Sequence, residues 1–207
     1  MQSLKECLTQ GLQSIQCDLP EDQQHKLIDF VELLHKWNKT YNLTAVKKRK
    51  DFITRHLLDS LVTLPYIKGP QVLDVGSGAG LPGIPLAIAR PDMEFVLLDS
   101  NSKKTRFMIQ AIGELGLSNV KVIQSRVEDY VPGSLFDTVI TRAFADTEKF
   151  LNLAGSMCTK GGQFLLMQGK SASGEIPEPF ELKEKIKLVV PGQTNERYLT
   201  IISPTLL

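Results

Sequence analysis

Cysteine is scarce: the 207 residues hold 3, Cys7, Cys17 and Cys158, odd in number, widely scattered, with no CxxC pair and no nearby histidine. That excludes a disulfide framework and offers no zinc spacing, so no metal is expected and a reducing compartment fits. Long apolar runs are missing too. None approaches the roughly 18 consecutive residues needed to span a bilayer, and the candidates, such as Phe95–Leu98, have the length of a strand. No membrane contact is expected. The first ten residues, MQSLKECLTQ, lack the basic end and apolar stretch of a secretory signal, so the expected location is the cytoplasm. Excess charge is also absent, with 24 Lys and Arg against 23 Asp and Glu, a formal net charge of +1. Coating of nucleic acid by bulk attraction is thereby excluded, although charge gathered on one face is not. There are no repeats or low-complexity tracts.

What is present, 42% hydrophobic and 23% charged side chains over this length, describes one compact domain or a domain with a small extension. Residues 1–65 read as helical. Leu27, Phe30, Val31, Leu34 and Trp37 recur at helix spacing behind a capping Asp22, and a second helix is predicted over Asp51–Leu64. From Gln71 onward, short apolar β-branched runs alternate with helical stretches, the pattern of βαβ units. Strands are predicted at Val72–Val75, Phe95–Asp99, Val120–Gln124, Thr138–Thr141 and Phe164–Gln168, and helices at Gly83–Ala89, Ser102–Leu115 and Thr147–Met157. After Lys170 a Gly/Ser/Pro-rich loop leads to two closing strands, Ile186–Val190 and Tyr198–Ser203. The expected fold is α/β and Rossmann-like: a mostly parallel, seven-stranded sheet over residues 66–207, with an N-terminal helical extension over 1–65 facing the substrate.

The strand Val72–Val75 runs into Gly76-Ser77-Gly78-Ala79-Gly80, a turn with glycine at alternate positions that lets a ligand touch bare backbone. Gly78 to Gly83 also satisfies GxGxxG, and Asp99 stands where a ribose-binding acid belongs, so a dinucleotide is one reading. Asp74 argues for another. A carboxylate near the strand end repels a pyrophosphate, whereas it attracts the sulfonium and ammonium of S-adenosylmethionine by roughly 1 to 4 kcal/mol at contact, depending on burial. Asp99 could then accept hydrogen bonds from both ribose hydroxyls. Ser125–Asp129 follows the third strand, where the adenine would lie. The residues leave three classes open: a methyltransferase acting on RNA or a small molecule, an NAD(P)-dependent oxidoreductase, and a non-catalytic RNA-binding module.

The stretches Gly76-Ser77-Gly78-Ala79-Gly80-Leu81-Pro82-Gly83, Arg55-His56-Leu57-Leu58-Asp59-Ser60 and Ser125-Arg126-Val127-Glu128 resemble the bacterial 16S rRNA (guanine-N7)-methyltransferases, the family formerly called glucose-inhibited division protein B. Trp37–Thr44, Arg142–Ala145 and Gly169-Lys170 carry the likeness over nearly the whole chain beyond the first twenty residues. The resemblance implies methyl transfer from S-adenosylmethionine to N7 of one guanine in the 530-loop region of 16S rRNA. It also implies cofactor contacts from Gly76, Leu81, Val127, Glu128 and Arg142, beside Asp74, Gly78, Gly80 and Asp99. The expected partner is 16S rRNA, met by a monomer within the small subunit or an assembly intermediate.

N7 of guanine carries a lone pair and no proton, so no general base is expected and positioning should dominate. Arg142 and Lys170, at the ends of the fourth and fifth strands, are the candidate positioning groups for O6 or a phosphate. Residues 35–56 contain seven basic residues, Lys36, Lys39, Lys47, Lys48, Arg49, Lys50 and Arg55, against Asp51 alone, a local balance of +6. They form the expected RNA face, with Asn42 and His56 beside them. A solvated helix entry would show the same run, and His56 reads equally as a hydrogen-bonded structural histidine. Trp37 reads as core.

Overall fold

The computed structural model describes residues 3–142, 144, 146–169 and 174–205. Two helices come first, α1 (Leu4–Ser14) and α2 (Glu21–Tyr41). A capping box opens α1: the Ser3 hydroxyl accepts from Glu6 N at 3.1 Å and the Glu6 carboxylate accepts from Ser3 N at 2.7 Å. Pro20 precedes α2 with no side-chain cap, so Asp22 acts from inside the first turn, where its charge meets the positive helix end, rather than as the expected cap. Leu27, Phe30, Val31 and Leu34 are fully buried along one stripe of α2, and Trp37 packs edge-on to Phe107 at 5.6 Å. The next helix starts as α3 (Arg49–Phe52), passes through a π-helical segment (Ile53–Leu58) and ends as α4 (Asp59–Leu61).

Seven strands follow: β1 (Gln71–Val75), β2 (Glu94–Asp99), β3 (Val120–Gln124), β4 (Phe136–Thr141), β5 (Cys158–Gln168), β6 (Phe180–Leu188) and β7 (Arg197–Pro204). Between them lie α5 (Gly83–Ala89), α6 (Ser102–Leu115) and α7 (Thr147–Ala154). The sheet order is β3-β2-β1-β4-β5-β7-β6, and only β7 runs against its neighbours. Because β1 pairs with β2 on one side and β4 on the other, the strand order reverses there, and a crevice opens at the carboxyl ends of those strands.

Alternation of side chains puts Val72 in one core and Leu73 in the other. The larger core lies under α5, α6 and the N-terminal helices; the smaller gathers Phe150 of α7 with Phe136 and Phe164. Residues from Leu8 to Phe52 and from Val72 to Ile201 belong to one apolar cluster, so the boundary near residue 65 separates elements that share a core. Strand β6 occupies Phe180–Leu188 instead of 186–190. Its sequence FELKEKIKL is largely exposed at the sheet edge, where charged side chains blunt further pairing and hide the strand from an apolar-run reading. No helix among the described residues is long and apolar enough to cross a membrane.

Candidate active site

At the end of β1 the chain turns through Gly76, Gly78 and Gly80 with φ of 71°, 60° and 77°, the left-handed region that side chains disfavour. The turn is pinned from β2. Gly76 N and Ser77 N donate to Leu98 O at 2.8 and 3.1 Å, and Gly78 N donates to Asp99 Oδ2 at 2.8 Å. Asp99 Oδ1 accepts from Asn101 N at 2.8 Å, so this carboxylate shapes the turn, lines the crevice and keeps capacity to accept further hydrogen bonds. A Cβ on Gly80 would stand 2.3 Å from Ile84 Cδ1, whereas one on Gly78 would meet only Lys104 Nζ at 3.8 Å and Gly76 O at 3.9 Å. Gly80 serves packing; Gly78 leaves open space above the backbone.

Asp74 lies behind this turn. It is wholly buried, its Oδ2 accepts from Gly83 N at 2.8 Å, and its Oδ1 has no hydrogen-bond partner. Burial pushes its carboxyl up to about 7 against the pull of the Gly83 hydrogen bond. The residue caps the start of α5 from within and lines none of the three cavities, unlike the ligand-facing carboxylate that its place in the sequence suggested.

Three cavities lie in a row. The first, about 320 Å³, runs from Val75 and Gly76 past Asp99 to Val127, Glu128 and Phe144. The second, about 180 Å³, sits over Gly76, Gly78 and Leu81 with Leu43 and Thr44 opposite. The third, about 300 Å³, is lined by Thr44, Arg55, His56, Asp59, Gln168 and Arg197 among others. The first two meet at Gly76, and the second and third share Thr44 and Arg142. Arg142 therefore stands at the doorway between a ligand seated on the glycine turn and anything in the third cavity.

A buried carboxylate fixes that arginine. Asp59, 1% exposed, accepts from Arg142 Nη1 at 3.2 Å through one oxygen and from Arg197 Nε at 2.9 Å through the other. Beside it, His56 Nδ1 contacts the Arg55 carbonyl at 2.8 Å, which as an acceptor requires the proton on Nδ1. Nε2 is then left to accept the Thr44 hydroxyl at 2.9 Å. Burial, with Arg142 nearby, pushes His56 down to about 3, so it is a neutral link between the Thr44 loop and the π-helical segment. Asn38 completes the loop's support, donating to Val46 O at 2.9 Å and accepting from Thr44 N at 2.8 Å.

The basic residues Lys36, Lys39, Lys47, Lys48, Arg49, Lys50 and Arg55 are all exposed. Arg49 is paired with Glu32, and Lys47 donates to Asn42, itself the left-handed cap of α2. Lys170 lies outside the described residues. The sequence reading missed Thr44, Asp59 and Arg197 as site residues. Their meeting depends on partners 83 and 138 positions apart, and only Asp59's neighbourhood with Arg55 and His56 gave a local signal.

Strand order, glycine turn and acid-tipped β2 define the class: a Rossmann-like methyltransferase. A SAM dependent methyltransferase from Aquifex aeolicus shares this fold at a TM-score of 0.55 with 18% identity, over 70% of this chain and 89% of its own. The family model of rRNA small subunit methyltransferase G matches residues 23–197, and the chain belongs to that family. Ribosomal RNA small subunit methyltransferase G of Nitrosococcus oceani is 48% identical over 200 residues, covering 95% of this chain and 94% of its own. That of Hahella chejuensis is 47% identical over 201 residues, covering 96% and 93%.

Proposed function

We propose that this rRNA methyltransferase acts on N7 of one guanine in the 530-loop region of 16S rRNA, with the small subunit or an assembly intermediate as its cytoplasmic partner and the enzyme as a monomer. The observation that carries the reading is the row of three cavities, which puts a nucleoside-sized crevice, a bare glycine turn and a cation-lined acceptor space in contact. S-adenosylmethionine, when bound, supplies an electrophilic methyl group on a sulfonium that leaves as a neutral thioether. The residues present suit it: Asp99 offers lone pairs to ribose hydroxyls, Val127 and Glu128 flank the space for the adenine, and Gly76, Gly78 and Leu81 present backbone and little bulk.

Guanine N7 attacks with its own lone pair, and no proton has to leave. A neutral His56, its Nε2 already engaged, matches a site without a general base. Catalysis falls to alignment, which can supply about 7 to 11 kcal/mol. Arg142 and Lys170 are the positioning groups of this reading, Arg142 from the doorway. Phosphates flanking the base meet Lys36, Lys39, Lys47, Lys48, Lys50 and Arg55, with Arg49 shared with Glu32 and Asn42 at the edge of the same face.

Titrations of the purified protein with S-adenosylhomocysteine and with NAD, followed by transfer assays with free guanosine and with unmodified small subunits, test the reading. Saturable adenosylhomocysteine binding, no NAD binding and transfer to subunits alone are expected. Preference for NAD would return the glycine turn to the dinucleotide reading, and efficient transfer to guanosine would point to a small-molecule acceptor.

A further inference from the structure

Attack through N7 does not by itself select guanine, because adenine carries an N7 lone pair as well. Beside N7, guanine presents the O6 acceptor and adenine the N6 amine, a donor. The distinction has to come from groups around the acceptor, and the third cavity has them. Its lining combines the buried His56, Asp59 and Gln168, at 5%, 1% and 6% exposure, with the exposed Ala45, Arg55 and Gly169, so it opens to solvent above a floor that lies inside the protein. A base held in an RNA stack cannot put its edge there, whereas one swung out of the stack can, as enzymes that modify bases commonly require. About 300 Å³ is at the lower end of ligand-pocket sizes, suited to a single base.

Resting on the N7 reading above, we propose that the third cavity receives the acceptor base extruded from its stack, and that Arg142 and Arg197, held together on Asp59, read its O6 carbonyl and turn adenine away. Each guanidinium carries five N–H donors in a rigid fork and no acceptor. Bonds within the protein use Nη1 of Arg142, toward Asp59 and the Arg55 carbonyl, and Nε of Arg197. Donors of both forks remain for a ligand, and Asp59, the carboxylate among the residues that line the cavity, is occupied by both arginines. An O6 carbonyl facing these two guanidiniums finds donors; an adenine amine facing the same pair meets donors and is left unpaired there. The cavity wall Thr44–Val46 continues directly into the exposed Lys47–Lys50 run, which places cations at the mouth for the phosphates on either side of the extruded nucleotide.

The test compares wild type, Arg197→Ala and Arg197→Lys in single-turnover transfer to reconstituted small subunits carrying guanine or adenine at the target position, with adenosylhomocysteine affinity measured alongside. Arg197→Ala should lower transfer to guanine about 10- to 100-fold, the range for removing one base-edge interaction, while transfer to adenine and adenosylhomocysteine affinity change less than about twofold. Arg197→Lys, which keeps the charge without the fork, should fall between. With wild type, 2-aminopurine placed beside the target should brighten when enzyme and adenosylhomocysteine are added, since its stacking neighbour departs. An unchanged guanine-to-adenine ratio in both variants, or no brightening with wild type, overturns this inference alone. Failure of wild type to methylate guanine would remove the N7 reading and this inference with it.

Discussion

Two buried groups set opposing pH dependences. Asp74 is raised from 3.8 to about 7, so between those values the folded protein holds a proton that the unfolded chain releases, and stability falls as pH rises. His56 is lowered from 6.5 to about 3, so over that window the unfolded chain binds a proton that the folded protein refuses, and stability falls as pH drops. Each effect is on the order of 4 kcal/mol at full extent, and in wild type they largely cancel between pH 4 and 6.5. Asp74→Asn should therefore steepen the acid loss, and His56→Asn should uncover a decline from acid toward neutral pH. Urea midpoints at pH 4.5 and 7 measure both; profiles parallel to wild type would contradict the assignments. The glycines separate in the same way. Gly80→Ala, with its Cβ against Ile84, should cost about 2 kcal/mol or more in stability. Gly78→Ala should cost about 1 kcal/mol yet weaken adenosylhomocysteine binding tenfold or more, because its methyl group fills the crevice. Equal effects on folding and binding in the two variants would sink that division. The glycine turn and the position of Asp99 at the tip of β2 were readable from the sequence because a strand, a turn and the next strand lie close along the chain; their contact with a cofactor is what the binding measurement decides. Asp74 was misjudged in orientation, since nothing in a strand's sequence says which face its acid takes.

At the scale of elements, the loop from Thr44 to Lys50 joins the doorway to the basic face. Changing Lys47, Lys48 and Lys50 to Ala should reduce the salt slope of rRNA binding by about 2 to 3, near 0.7 to 0.9 for each phosphate no longer neutralised. Arg49→Ala should change it less, because Glu32 already takes that charge. Binding at several salt concentrations decides, and an unaltered slope in the triple variant removes the loop from the RNA face. Of the five parallel strands, β1, β2, β4 and β5 were legible because strands buried on both faces read as apolar runs, and the half-exposed edge strand β3 because of its β-branched Val120, Val122 and Ile123. The exposed edge strand β6 was displaced in the reading for the opposite reason. The π-helical segment was not visible at all, since apolar spacing over Asp51–Leu64 fits a plain helix. Such segments concentrate at functional sites, and this one carries Arg55 and His56 into the third cavity.

Among the described residues, the N-terminal helices share one apolar core with the sheet. Leu27, Phe30, Val31 and Leu34 are each completely buried, worth about 1.5 to 3 kcal/mol apiece, a sum comparable to the net stability of a typical domain. A fragment of residues 66–207 should consequently show no cooperative urea transition, and a sharp transition would establish the two-part division that the change of sequence pattern suggested. The sequence change near residue 65 marks where helical rhythm gives way to alternating strands and helices. It carries no information about burial between the two parts, which depends on contacts formed only after folding. Function, on this reading, depends on a methyl donor at the glycine turn facing a ribosomal guanine across the Arg142 doorway. The most direct test is transfer of labelled methyl from S-adenosylmethionine to small ribosomal subunits lacking the modification, with the labelled base mapped and chemically identified. Label at a single guanine N7 in the 530-loop region is the expected result; label on another base or atom, or none, would contradict it.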